Sequence, residues 1–295
     1  MRPATAAEAL RGLIRVRPHG WLASPLPTTP AAVADRLRAV LDQDYGDDPA
    51  AGGPLGVLAA RATAAVATVG EPPAAVLKLH ADTDAYDAER LAYALVGHSP
   101  VLPSLLGAAD GSRSLLLEYL PGAFDWGAAD APAAVIEAVA AVHAAPASLD
   151  AASAEALAPF HLDRLATAPA PAWISDPGAW HTVIALCLGA YGPAHIPVGH
   201  LDLKPEHVRH RRGDDVACLI DIETVRPDIT GLVDLVTLPA VLRQAGTPLP
   251  GAEVRELYRA ATARHGATWT TGDLRAALIA FQRATGLATL DGLAG

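Results

Sequence analysis

The sequence predicts an α+β fold in two unequal parts. A small antiparallel-sheet part covers residues 1–118, a larger and mainly helical part covers 123–295, and a hinge at 119–122 joins them. Three observations predict this. Strand-like apolar runs cluster between about residue 55 and residue 120, broken by the turn signals "GEPP" and "ADGS". At Pro121-Gly122 the character changes, and Ala-rich stretches with helical apolar spacing follow. A short hairpin pattern then interrupts the helical series near residues 207–221.

The elements follow in order. Residues 1 to about 50 read as helix and connector. In "TTPAAVADRLRAVLDQ", Thr29 is a candidate cap, Pro30 suits the first turn, and Val33, Leu37, Val40 and Leu41 form one apolar stripe. "AAGGPLG" breaks the chain. Strand candidates come next, "GVLAARATAAVATV", "AAVLKLH", "VLPSLLGA" and "SLLLEYL", with the helix "DAYDAERLAYALVG" between the second and third. The first part therefore reads β-β-α-β-β. Beyond the hinge, "APAAVIEAVAAVHAA", "SAEALAPFHLDRLA" and "DPGAWHTVIALCLGAY" read as helices. The loop "HLDLKPEHV" and the hairpin come next, then the helices "GLVDLVTLPAVLRQAG", "GAEVRELYRAATARHG" and "GDLRAALIAFQRATG". Ala/Pro-rich pieces near 123–132 and 145–157 read as loops.

Composition narrows the function classes. The chain has 295 residues, 51% hydrophobic and 18% charged, enough for a substantial core. A formal net charge of −10 argues against nucleic acid as a partner. The two cysteines, Cys187 and Cys218, make no CxxC pair, so buried reduced thiols are expected. The first residues lack the apolar core of a signal peptide, and no apolar run is long enough to span a membrane. The expectation is a cytoplasmic protein with no membrane partner.

The chemistry-bearing residues sit in three places. His200, Asp202 and Lys204 lie in "HLDLKPEH", which matches H-x-D-x-x-x-x-N except that His207 fills the last position. Asp221 follows in "LIDIE", after a hairpin whose turn carries Gly213-Asp214. A hairpin between two acids brings both to one edge of a cleft. Phosphoryl transfer needs such a set, one carboxylate to orient a hydroxyl and take its proton, another to hold a metal on phosphate oxygens. Upstream, Lys78 sits in a strand and Glu89 on the following helix, where the acid would hold the ammonium toward phosphates. "LLLEYLPG" suits a hinge whose backbone meets a purine edge.

With those residues in view, the chain resembles the aminoglycoside phosphotransferase-like family, within the wider protein-kinase-like fold. The matching segments are "VLKL" with "AERLAYAL", "LLLEYLPG", "VAAVHAAP", "HLDLKPEHV" and "LIDIETVRPDITGLVDL", roughly residues 55 to 240. The resemblance implies a two-lobe kinase-like fold and ATP or GTP as co-substrate with Mg²⁺. It implies Asp202 as catalytic base, with Lys204 reaching a γ-phosphate. Asp221 would be the principal magnesium ligand, with Glu223 and His207 as candidate partners in the metal site. Lys78 would hold phosphates and Glu89 would position it, while Glu118 and Leu120 would lie at the hinge beside the nucleobase. Asp234 would support the loop, and His200 would fix its backbone. The acceptor would be a small molecule, with a peptide Ser/Thr as the other option.

The chain departs from the family pattern in three places. "ARATAAVATVG" stands where a Gly-rich loop would precede Lys78, Leu201 replaces a small or basic residue, and His207 replaces the metal-binding Asn. Two rival readings follow. In one, His207 has ended catalysis and the fold survives as a pseudokinase that serves as a binding partner. In the other, His195, His200, Asp202, His207 and His210 hold a hydrolytic transition metal, although no H-x-H or H-E-x-x-H spacing occurs. Trp173, Trp180 and Trp269 either line a pocket or fill core.

Overall fold

The computed structural model describes residues 25–96, 99–144, 155, 157–200, 202–211, 216–222 and 230–295. Helix α1 (Pro30–Asp44) buries Val33, Leu37, Val40 and Leu41, the stripe that the spacing predicts. Thr29 occupies its cap position without a side-chain hydrogen bond, so Pro30 and packing set the start. Five strands follow, β1 (Leu55–Ala60), β2 (Ala64–Val69), β3 (Ala75–His80), β4 (Leu105–Ala109) and β5 (Ser114–Glu118). They form one antiparallel sheet in the order β1-β2-β3-β5-β4. Helix α2 (Thr83–Val96) connects β3 to β4.

The β-β-α-β-β reading was one strand short. "GVLAARATAAVATV" folds as two paired strands, with Ala60 opposite Ala65 across a tight turn. Arg61 N–H donates to Ala64 O at 3.0 Å to close that turn. Alanine-rich sequence carries neither Gly nor Pro to mark such a reversal.

Strand alternation assigns the two faces of the sheet. On β3, Ala75, Leu77 and Leu79 face α1, joined by Ala65, Ala67 and Leu116. The other face carries Val76, Lys78 and His80. Leu115 and Leu117, which point the same way on β5, belong to the larger core shared with α2 and the helical part. A buried Lys and a buried His on one face mark where the sheet looks onto something other than core.

Past the hinge, β6 (Gly122–Ala123) pairs with β7 (Val208–His210), which pairs with β8 (Ala217–Leu219). The hairpin that the sequence predicts is thus docked against Gly122–Ala123. Its turn residues, Gly213-Asp214 included, lie outside the described residues. Around it stand α3 (Ala131–Ala144), α4 (Leu162–Leu165), α5 (Pro177–Tyr191), α6 (Leu232–Gln244), α7 (Gly251–Arg264) and α8 (Thr271–Thr285). Part of the "SAEALAPFHLDRLA" helix also lies outside the described residues. The rest is a 3₁₀ turn at Ala158–Phe160 and the four-residue α4 rather than one helix, because Pro159 removes a donor. Trp180 and Trp269 fill core, and Trp173 packs edge-on against Trp180 at 5.7 Å. Both cysteines are buried and free. Among the described residues, no helix is long and apolar enough to cross a membrane.

Candidate active site

Lys78 is buried in β3, at 7% exposure, on the face turned to α2. Glu89 is fully buried on α2, in one stripe with Tyr86 and Tyr93. Lys78 Nζ lies 2.7 Å from Glu89 Oε2 and also meets Asp221 Oδ1 in a short ion pair. His80, two residues along the strand, brings Nε2 to 2.9 Å from the same Glu89 oxygen. Lys78 and His80 thus converge on one oxygen of Glu89. Burial pushes the Lys78 ammonium down, but Glu89 and then Asp221 outweigh it and hold it above the ordinary lysine range. Asp221 is the mirror case. Burial pushes its carboxyl up, yet Lys78 holds it at about 2.

Asp221 follows β8 with φ 63°, in the left-handed region. Aspartate tolerates that region better than most residues, at a cost on the order of 1 kcal/mol. Asp202 is buried at 7% exposure, and Lys204 Nζ donates to its Oδ2 at 2.7 Å. His207 closes a 3₁₀ turn at Pro205–His207, and its carbonyl accepts from Ile220 N–H at 2.9 Å. That bond ties the loop to the strand end that carries Asp221. One ligand atom each from Asp202, His207 and Asp221 lies within 4.8 Å of the others.

This donor set fits a divalent ion. Two carboxylates supply hard oxygens and His207 supplies one nitrogen. Each carboxylate also carries an ammonium partner, Lys78 on Asp221 and Lys204 on Asp202, leaving its other oxygen as the candidate ligand. Glu223 lies outside the described residues.

The loop is anchored from below. His200 N–H donates to Asp234 Oδ2 at 2.5 Å, and His200 Nε2–H donates to Ile220 O at 2.8 Å. Asp234 Oδ2 also meets His143 Nε2 at 3.0 Å, His143 Nδ1 meets Tyr258 OH at 2.8 Å, and Tyr258 meets Tyr191 OH at 3.1 Å. Gly231 makes room for this chain, since a Cβ there would lie 2.7 Å from the His143 ring. His200 and Asp234 thus support the loop, as the resemblance implies. Tyr258 and Tyr191 gave no sequence signal, and His143 appeared only within the matching segment "VAAVHAAP" with no role assigned, because the three converge from separate helices.

Glu118 ends β5, and its carboxylate is occupied. Arg211 donates to it through Nε at 2.8 Å and Nη2 at 3.0 Å, and Ser104 through N and Oγ at 3.0 and 3.1 Å. Arg211 lowers its pKa. The Glu118 N–H is engaged as well, donating to Ser104 O at 2.9 Å, and Leu120 nearby is buried. The structure does not gather the five-residue His/Asp patch. His195 stacks on Tyr191 at 4.4 Å, His210 packs on Phe124 at 4.7 Å, and His200 spends Nε2 on Ile220. A groove of about 450 Å³ lined by Asp176, Thr182, Ile279 and Arg283 lies on α5 and α8, outside this constellation.

The antiparallel sheet, the strand lysine paired with a helix glutamate, and the loop–hairpin unit are the parts that the sequence resemblance leads one to expect. Among solved structures, the chain is similar to a choline/ethanolamine kinase family protein from Mesorhizobium loti, at 17% identity and TM-score 0.48, covering 85% of this chain and 82% of that one. It is also similar to an apo macrolide 2′-phosphotransferase from Brachybacterium faecium, at 17% identity and TM-score 0.35, covering 74% of this chain and 79% of that one. No protein-family model matches the chain, and neither does any curated protein.

Proposed function

We propose that the chain moves the γ-phosphate of ATP or GTP to a hydroxyl of a small molecule of the antibiotic or metabolite type. The observation that carries this reading is the meeting of Lys78, Glu89 and Asp221 beside Asp202. A buried lysine between two carboxylates is a fixed positive charge aimed at one spot, which is what a transferring phosphoryl group needs. Asp202 would accept the acceptor hydroxyl's proton, with Lys204 donating to that carboxylate and adding charge nearby. Asp221, Asp202 and His207 would hold the divalent ion, Mg²⁺ by resemblance, which when bound neutralises phosphate oxygens. Main chain at Glu118 and Leu120 would meet the nucleobase.

Asp202→Asn tests the reading, since it keeps the shape but cannot take a proton. Turnover should fall by on the order of 10²-fold or more, with nucleotide affinity largely kept. Wild-type turnover in the variant would remove Asp202 as base. A wild-type protein with no thermal shift under ATP or GTP with Mg²⁺ would remove the whole reading. The His207 substitution favours a second reading, a pseudokinase, and nucleotide binding without turnover on any acceptor, peptide or small molecule, is its signature.

A further inference from the structure

His207 has an environment that an ordinary packed histidine lacks. Its side chain is 13% exposed. Among the described residues, neither ring nitrogen has a hydrogen bond. Nδ1 is buried without a partner, and Nε2 has Asp221 Oδ2 at 3.7 Å, beyond hydrogen-bond length. Buried polar atoms are normally satisfied, so an imidazole with both nitrogens unpaired beside two carboxylates asks for a ligand. The ring is also held in place. It stacks on His200 at 5.5 Å and 23°, and its own carbonyl is tied to Ile220.

We infer that His207 shifts this site's preference from Mg²⁺ toward a divalent transition ion such as Mn²⁺ or Co²⁺, with the imidazole in the inner coordination sphere beside Asp202 and Asp221. The inference rests on the phosphotransfer reading for the purpose of the ion, but not for its ligands. Mg²⁺ demands oxygen donors in near-ideal octahedral geometry and sheds water reluctantly. A nitrogen donor offers it little, while affinity for nitrogen rises along the first transition series. An amide at this position would supply oxygen and remove the bias.

The test uses the full chain at neutral pH. Mn²⁺ is titrated alone and with a non-hydrolysable ATP analogue, followed by electron paramagnetic resonance, with Mg²⁺ as competitor. Protein grown with ¹⁵N-histidine is compared with unlabelled protein by electron spin-echo modulation. The expected result is a nitrogen coupling on bound Mn²⁺ that changes with the histidine label and is absent from both His207→Asn and His207→Gln. The Mg²⁺-to-Mn²⁺ ratio of dissociation constants should fall about tenfold or more in His207→Asn. Bound Mn²⁺ with no histidine coupling, or an unchanged ratio, overturns the inference and leaves phosphotransfer standing. Histidine coupling in a protein that binds no nucleotide sinks phosphotransfer and leaves the metal selectivity intact. If neither ion binds under any condition, both are overturned.

Discussion

Replacing Lys78 with Met should destabilise the fold as well as the site, and the structure says by how much. The ammonium lies between Glu89, fully buried, and Asp221. Methionine fills much of the volume but leaves Glu89 as a buried carboxylate facing a second one. Breaking a buried pair on one side costs roughly 3 kcal/mol, because the remaining carboxylate loses its ammonium and keeps only His80 Nε2 at 2.9 Å. For a chain of this size that is about 6–12 °C in Tm. The penalty depends on pH. Asp221 titrates at about 2 in the folded protein against an ordinary 3.8, so its pairing contributes stability that is present above about 4 and lost as pH falls toward 2. With part of that carboxylate in solvent, about 1–2 kcal/mol of the gap should close over this window. Denaturant melts of wild type and Lys78→Met from pH 7 to pH 3 measure it. Adding Glu89→Leu to Lys78→Met removes the orphan charge, so the double variant should regain most of the stability while nucleotide affinity stays low. A Lys78→Met protein as stable as wild type at pH 7 would refute the buried-triad reasoning. Recovery of nucleotide affinity in the double variant would remove Lys78 from the phosphate site.

Two further outcomes are expected. His195 is held down at about 4 by burial and then by His143, against an ordinary 6.5, so its neutral form is the stable one. Stability should be full above about 6.5 and decline as pH falls toward 4, by up to roughly 3 kcal/mol from this group, and His195→Gln should flatten that decline in urea melts. Arg211→Lys should loosen the hinge, since one ammonium cannot replace a guanidinium that serves Glu118 and the carbonyls of Pro100 and Leu102. A loss of about 1–2 kcal/mol is expected, with faster amide exchange at Glu118 and Ser104; unchanged exchange there would show the clamp to be idle.

What the sequence made legible was whatever local rules govern. The α1 stripe, the hairpin between His207 and Asp221, and the Lys78–Glu89 pair all follow from periodicity or from residues near one another along the chain. His80 was equally legible, since a period of two places it on the Lys78 face, but its Glu89 contact shows only when α2 is packed on the sheet. Arg211 was not. "RHRRGDD" reads as a charged turn, and nothing local says that one of its arginines turns inward to Glu118 from 93 residues away. The β1–β2 reversal was missed because alanines carry no turn chemistry.

The two halves of the site are held by different machinery, and that bears on His207. Asp202 and His207 are placed from below, through His200, Asp234, His143 and Tyr258, a chain of buried polar contacts wholly within the helical part. Lys78 is placed from above, by strand β3 and by Glu89 on α2. The halves meet where Lys78 reaches Asp221, and Asp221 is tied to the loop because Ile220, its neighbour, bonds both the His207 carbonyl and the His200 ring. A loop that had lost its purpose would be free to lose this support, since each buried polar contact left unsatisfied costs stability and apolar residues would serve packing as well. Among the described residues of this loop, His207 is the one whose ring makes no hydrogen bond through either nitrogen, and it is the residue that departs from the expected asparagine. His200 Nδ1 is likewise buried and unpaired, but its ring is already fixed through Nε2. His207 Nε2 stands 3.7 Å from Asp221 Oδ2, so the departure from asparagine fits the change of metal ligand inferred above rather than decay.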